Sequence, residues 1–193
     1  MPNDGICSGQ IYLGGDGRLW HWDIFNQHIR TGAEHYARPM QPTDRQELGP
    51  LLGFVVRIKA ADRTDVRNLQ HVRQEVIKST TPGFSDVSFC GEYPIGHVEY
   101  KDPAVPVTIS LQAFSPFIPL NTEDSALPAT VLEFTVTNRS PAPVEVELAG
   151  WMRNVILERT KEAFSGKRGL RIRQVAGRTY LECSVKQIGR AHV

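Results

Sequence analysis

Short runs of alternating apolar and polar residues, parted by clusters of Pro, Gly and Asx, restrict this chain to a sheet-based fold. In the clearest run, Ala129 to Asn138, Leu132, Phe134 and Val136 fall on one face and Val131, Glu133, Thr135 and Thr137 on the other. That is the period of a strand with one buried side. Asn138-Arg139-Ser140-Pro141-Ala142-Pro143 breaks the chain, after which Val144, Val146 and Leu148 alternate with Glu145 and Glu147. The two strands are expected to fold back on each other as an antiparallel hairpin. Glu145 and Glu147 share a face as an acid/base pair would, but alternation explains them better as the solvated side of that hairpin.

The rest of the chain repeats the theme. Gln10 to Leu13 and Arg18 to Ile24 flank Gly14-Gly15-Asp16-Gly17, where the Asp-Gly pair permits the positive φ angles of a tight hairpin. This glycine run lacks the Lys-Ser/Thr of a phosphate loop and opens a strand, not a helix. Leu51 to Lys59 alternates as a strand. So does Val105 to Phe114, with Val107, Ile109, Leu111 and Ala113 set against Thr108, Ser110 and Gln112. Leu170 to Val175 and Thr179 to Val185, joined through Ala176-Gly177-Arg178, read as a last hairpin. Only Val66 to Lys78, with Val66, Leu69, Val72 and Val76 at mixed three- and four-residue spacing, hints at helix. The expected class is all-β with antiparallel strands, a sandwich or barrel.

Between two of these strands lies a long stretch with neither period, Phe114 to Pro128, punctuated by prolines. A connection of this length inside a compact domain is usually functional or unstructured. Phe114, Phe117, Ile118, Leu120 and Leu127 are too apolar for a free linker, and the prolines lower the entropy lost on ordering. These five residues are therefore candidates for an interface with something outside the segment.

Composition narrows the function classes. At 40% hydrophobic and 22% charged the chain can build an ordinary soluble core, and its 193 residues fit one domain. A net charge of +1 gives no overall field for nucleic acid. No apolar run is long enough to span a bilayer as a helix. Lys167, Arg168, Arg171, Arg173 and Arg178 form a local basic cluster with Arg171 and Arg173 on one face, read as a solvated surface.

Candidate ligand contacts are Trp20, His21, Trp22 and Asp23. Trp20 and Trp22 share a strand face, so two indoles can stack on the apolar side of a sugar ring while a nearby carboxylate accepts its hydroxyl hydrogens. Core or interface packing is the commoner fate of tryptophan, and core packing is the favoured reading of Trp151. His21, His28 and His35 recur every seven residues, which on a helix would set them about 10 Å apart. One zinc ion needs nitrogens at about 2.1 Å, so the row is not read as a metal site. No cofactor is expected.

Gly91-Glu92-Tyr93-Pro94-Ile95-Gly96, Val98-Glu99-Tyr100, Asp102-Pro103, Ala113-Phe114-Ser115-Pro116, Asp124-Ser125-Ala126-Leu127-Pro128 and Trp151-Met152-Arg153-Asn154 follow one another in an order that resembles the N-terminal domain of glycoside hydrolase family 116. This is the non-lysosomal glucosylceramidase and β-glucosidase family. Gly9 to Leu19 and His21 to Asn26 fit the same family's opening. The resemblance implies a β-sandwich over residues 1–187, followed by an (α/α)₆ barrel that carries the chemistry of a retaining glucosidase. Such a mechanism needs two carboxyl groups about 5 Å apart. In this family both belong to the barrel, so no catalytic residue is carried over, and the implied partner is a catalytic domain in the same chain, with a glucoside as substrate. A free-standing carbohydrate-binding or protein-interaction module, using Trp20, Trp22 and the Pro-rich loop, is the alternative.

Cys7, Cys90 and Cys183 are odd in number and widely spaced, which favours free thiols and a cytoplasmic setting. Pro2-Asn3-Asp4-Gly5 lacks the basic start and apolar core of a secretory signal, although the family motif is already under way at Gly5 and an upstream signal stays open. Ile188-Gly189-Arg190-Ala191-His192-Val193 resembles the translation of a sequencing adapter and is expected to be a non-native tail.

Overall fold

The computed structural model describes residues 2–3, 10–23, 52–61, 63–72, 81–152, 154 and 166–187. The adapter-like tail lies outside them. The chain divides into two compact units, Met1–Gly49 with Gly53–Gly150, and Pro50–Leu52 with Trp151–Val193. In chain order the strands are β1 (Pro2–Asn3), β2 (Gln10–Leu13), β3 (Leu19–Asp23), β4 (Leu52–Ala60), β5 (Arg63–Asn68), β6 (Asp86–Glu92), β7 (Ile95–Lys101), β8 (Val107–Phe114), β9 (Val131–Asn138), β10 (Val144–Met152), β11 (Gly166–Val175) and β12 (Arg178–Gln187). A four-residue helix, α1 (Thr122–Ser125), interrupts the long loop. The fold is the all-β, antiparallel sandwich expected.

In the first unit a four-stranded sheet, β6-β7-β8-β9, shares one core with a three-stranded sheet, β10-β4-β5. β8 shows why the sequence folds this way. Val107, Ile109, Leu111 and Ala113 are all at most 2% exposed, whereas the alternate residues are not buried. Each large apolar side chain so covered is worth roughly 1.5–3 kcal/mol relative to leaving it in water. β4 answers from the other layer with Val56 and Ile58, and the Phe54 and Phe134 rings meet between the sheets at 4.8 Å.

β2 and β3 form the expected hairpin, closed by Gly14 N–H donating to the Arg18 carbonyl at 2.8 Å and Gly17 N–H to the Gly14 carbonyl at 3.0 Å. Gly17 sits at φ +81, and a Cβ there would lie 2.5 Å from the Tyr100 ring, so both backbone and space demand glycine. Tyr100, itself buried, donates its hydroxyl to the Gly17 carbonyl at 2.8 Å and ties this turn to β7. Burial, helped by the nearby Asp16 carboxylate, pushes the Tyr100 phenol well above its ordinary range.

Two expectations of secondary structure and pairing give way to the structure. β9 and β10 do not form a hairpin: β9 pairs with β8 from Val107↔Asn138 to Phe114↔Val131, and β10 pairs with β4 in the opposite sheet. Alternation assigned the buried faces correctly, but both faces serve a core that lies between two layers. The chain therefore arches across the core, with Leu132 and Phe134 on one side and Val144 and Val146 on the other. The arch is fixed by Asn138, whose amide donates to the Ala142 carbonyl at 2.7 Å and accepts from Ser140 N–H at 2.9 Å. The helix hinted at over Val66 to Lys78 is also absent where the structure describes it. Arg63–Asn68 is a strand paired with β4 from Val55↔Asn68 to Ala60↔Arg63, and tertiary pairing overrides a weak helical spacing. Residues 73–80 lie outside the described set.

The second unit is built on β11 and β12, paired from Gly166↔Gln187 to Val175↔Arg178. The turn is the two residues Ala176 and Gly177, at φ 49 and 74, the pair of positive angles that suits the twist of a hairpin. The Asn154 side-chain amide donates to the Gly169 and Ser184 carbonyls at 2.8 and 2.9 Å, one on each strand. Trp151 is 38% exposed, so the expectation of a core tryptophan does not hold. Among the described residues no helix is long and apolar enough to cross a membrane.

Candidate functional site

The Phe114–Pro128 loop leaves β8 and is ordered by its own hydrogen bonds. Ser125 is 1% exposed; its hydroxyl accepts from Ile118 N–H at 2.9 Å and donates to the Ile118 carbonyl at 3.0 Å. Asn121 caps α1, its side chain accepting from Asp124 N–H at 3.1 Å, the role short polar residues fill at helix starts. Asn121 N–H donates in turn to the Ile118 carbonyl at 3.0 Å.

This polar frame turns apolar side chains outward. Phe117 is 42% exposed, Ile118 47%, Leu127 48%, and Leu120 wholly so, whereas Phe114 is half-buried at the end of its strand. Leu120 also sits at φ 67, a left-handed backbone that costs a bulky residue roughly 1–3 kcal/mol. Strain and complete exposure thus fall on one leucine. The neighbouring β6–β7 turn adds Tyr93, 68% exposed, whose ring meets Phe117 edge-on at 5.6 Å between centroids. Sequence reading missed Tyr93 as part of this surface. The signal was present in the Tyr-Pro turn between two alternating runs, which the structure resolves as β6 and β7.

Trp20, His21, Trp22 and Asp23 fall at the end of β3, where Trp22 pairs with Ile11 and Asp23 with Gln10. Their side chains lie outside the described set, as do His28 and His35. Among the described residues no group of three or more His, Cys, Asp or Glu is placed to hold a metal ion. Glu145 and Glu147 are exposed at 57% and 58%, and Arg57 bridges them, reaching Glu147 at 2.5 Å and Glu145 at 3.4 Å; Lys59 adds a contact to Glu145 at 3.6 Å. The hydrogen bond and charge of Arg57 hold the Glu147 carboxyl below its ordinary range, which suits an ion pair and not a proton-donating acid. Cys90 and Cys183 are free thiols, and partial burial pushes the Cys183 thiol up.

The described residues thus define an antiparallel sandwich that presents an ordered apolar loop. The family model described as "beta-glucosidase 2, glycosyl-hydrolase family 116 N-term" matches residues 1–186, and the chain belongs to that family. A comparison with curated proteins finds no match.

Proposed function

We propose that this domain is the non-catalytic N-terminal part of a retaining glycoside hydrolase of the β-glucosidase or glucosylceramidase kind, and that it supports a catalytic domain in the same chain. The loop carrying Phe117, Ile118, Leu120 and Leu127, joined by Tyr93, is the contact surface. Trp20, His21, Trp22 and Asp23 are assigned to the rim facing the sugar. The observation that carries the reading is a loop held rigid by a buried serine and a helix cap while it exposes a strained leucine. Ordering of that kind is wasted on a surface that meets only water.

The test compares the isolated chain with a protein extended through the domain encoded downstream in the same frame. The isolated chain is expected to be inactive on an aryl β-glucoside and to bind an apolar dye, and the extended protein to hydrolyse the glucoside and lose the dye signal. Leu120→Asp should lower the melting temperature of the extended protein while shifting the isolated domain by no more than about 0.5 kcal/mol. Turnover by the isolated chain, or dye binding that persists in the extended protein, would overturn the proposal.

A further inference from the structure

The last hairpin has two unlike faces. Cross-strand register places Lys167, Arg171, Arg173, Arg178 and Lys186 on one side, together with Tyr180 and the single acid Glu182. Leu170, Ile172, Leu181, Cys183 and Val185 occupy the other, with Arg168 beside Val185 and the polar pair Gln174 and Thr179 near the turn. On the charged side Lys167 stands directly opposite Lys186, a like-charge pairing that works against the hairpin unless an anion lies nearby. Glu182 is drawn to Arg173 at 3.5 Å, which leaves Arg171 and Arg178 with no ion pair among the described residues.

Toward the turn end of the hairpin Arg173, Val175, Tyr180 and Glu182 of this side, together with Leu181 between them in the strand, line an open depression of about 460 Å³. Tyr180 is 47% exposed and faces Arg173 across the strands. We infer that this depression is a binding site for an acidic saccharide. The phenol ring offers a flat face to the C–H side of a pyranose, Glu182 accepts hydroxyl hydrogens, and the Arg173 guanidinium in the depression forks onto a ring carboxylate, with Arg171 and Arg178 adding positive charge beside it on the same face.

The same features weigh against a nucleic acid. Single strands are held by successive aromatics along a basic groove, and this face carries one. Glu182 repels any anion, but a sugar offers it hydroxyl hydrogens to accept and a polyphosphate offers none. The surface is separate from the support role proposed above, and its test requires no catalytic domain, so either reading can fail alone.

The experiment is calorimetric titration of the full chain with tetragalacturonide, with cellotetraose and with a linear polyphosphate of equal charge. Tetragalacturonide should bind, with cellotetraose and polyphosphate each weaker by about tenfold or more. Tyr180→Ala and Arg173→Gln should each weaken the acidic sugar by about tenfold, while Tyr180→Phe, which keeps the ring, should bind as the parent does. Circular dichroism of each variant separates lost binding from lost structure, and Tyr180→Phe carries the test if Tyr180→Ala unfolds. No binding of tetragalacturonide, polyphosphate binding as tight or tighter, or unchanged affinity in folded Tyr180→Ala would overturn the inference.

Discussion

β8 and the β11–β12 hairpin carry the same alternation and meet opposite fates. Val107, Ile109, Leu111 and Ala113 lie under a second sheet and are almost wholly covered, whereas Leu170 and Ile172 remain 54% and 69% exposed. Alternation specifies which side of a strand is apolar; burial depends on whether another layer is present to receive it. Stability in the first unit should therefore reside in side chains, and in the hairpin mainly in backbone pairing and its turn.

The sharpest way to break this contrast is a matched pair of truncations. Ile109→Ala removes a fully buried side chain from the centre of the core and should cost about 3–4 kcal/mol in urea unfolding. Ile172→Ala, the same chemical change on an exposed face, should cost less than about 0.5 kcal/mol. Equal costs at the two sites would mean that the hairpin's apolar face is covered in solution.

Next in size is Asp102, 7% exposed in the turn after β7. Burial alone would raise its carboxyl, but Ala104 N–H at 2.8 Å, the Arg67 guanidinium at 3.5 Å and Ser85 N–H at 3.3 Å outweigh that and hold it below the ordinary 3.8. A depressed carboxyl stabilises the fold above its unfolded value and loses that contribution as pH falls through the folded one. Stability should therefore decline below about pH 4, and Asp102→Asn should cost about 2 kcal/mol at neutral pH while flattening that decline. An unchanged acid limb in the variant would remove Asp102 from the account.

Tyr100→Phe should follow at about 1–2 kcal/mol, since it leaves the Gly17 carbonyl without its partner while conserving the packed ring against Phe84. The measurement is again urea unfolding. A neutral result would mean that water replaces the hydroxyl.

The same contrast separates what was legible in the sequence from what was not. Faces were: β8, β9, β10 and the hairpin strands alternate as read, and Gly14 to Gly17 turns as its glycines require. Partners were not, because Leu132 and Val144 look the same in sequence whether their strands are neighbours in one sheet or opposed across a core. The six residues from Asn138 to Pro143 suit an arch as well as a turn, and only Asn138's contacts distinguish them. For the loop, the apolar residues were visible in sequence. Their exposure and the positive φ of Leu120 depend on the hidden Ser125 hydroxyl, which no local pattern announces.

The smallest expected effect compares the two charged surfaces. On the sandwich, Arg57 and Lys59 of β4 are matched by Glu145 and Glu147 of β10; on the hairpin, Lys167, Arg171, Arg178 and Lys186 have no ion pair among the described residues. Because Arg57 holds the Glu147 carboxyl below its ordinary 4.5, the pair stabilises above that value and its contribution fades as pH falls through the lowered one. Both partners are open to water, so the effect is slight and screened by salt. Arg57→Gln should lower the midpoint marginally at neutral pH and low salt, and the difference should vanish in molar salt. The hairpin should respond in the opposite sense, with Lys186→Gln raising its stability slightly at low salt by relieving Lys167. If salt moves both variants in the same direction, the two surfaces are not electrostatic opposites, and the case for an anion on the hairpin loses its physical basis.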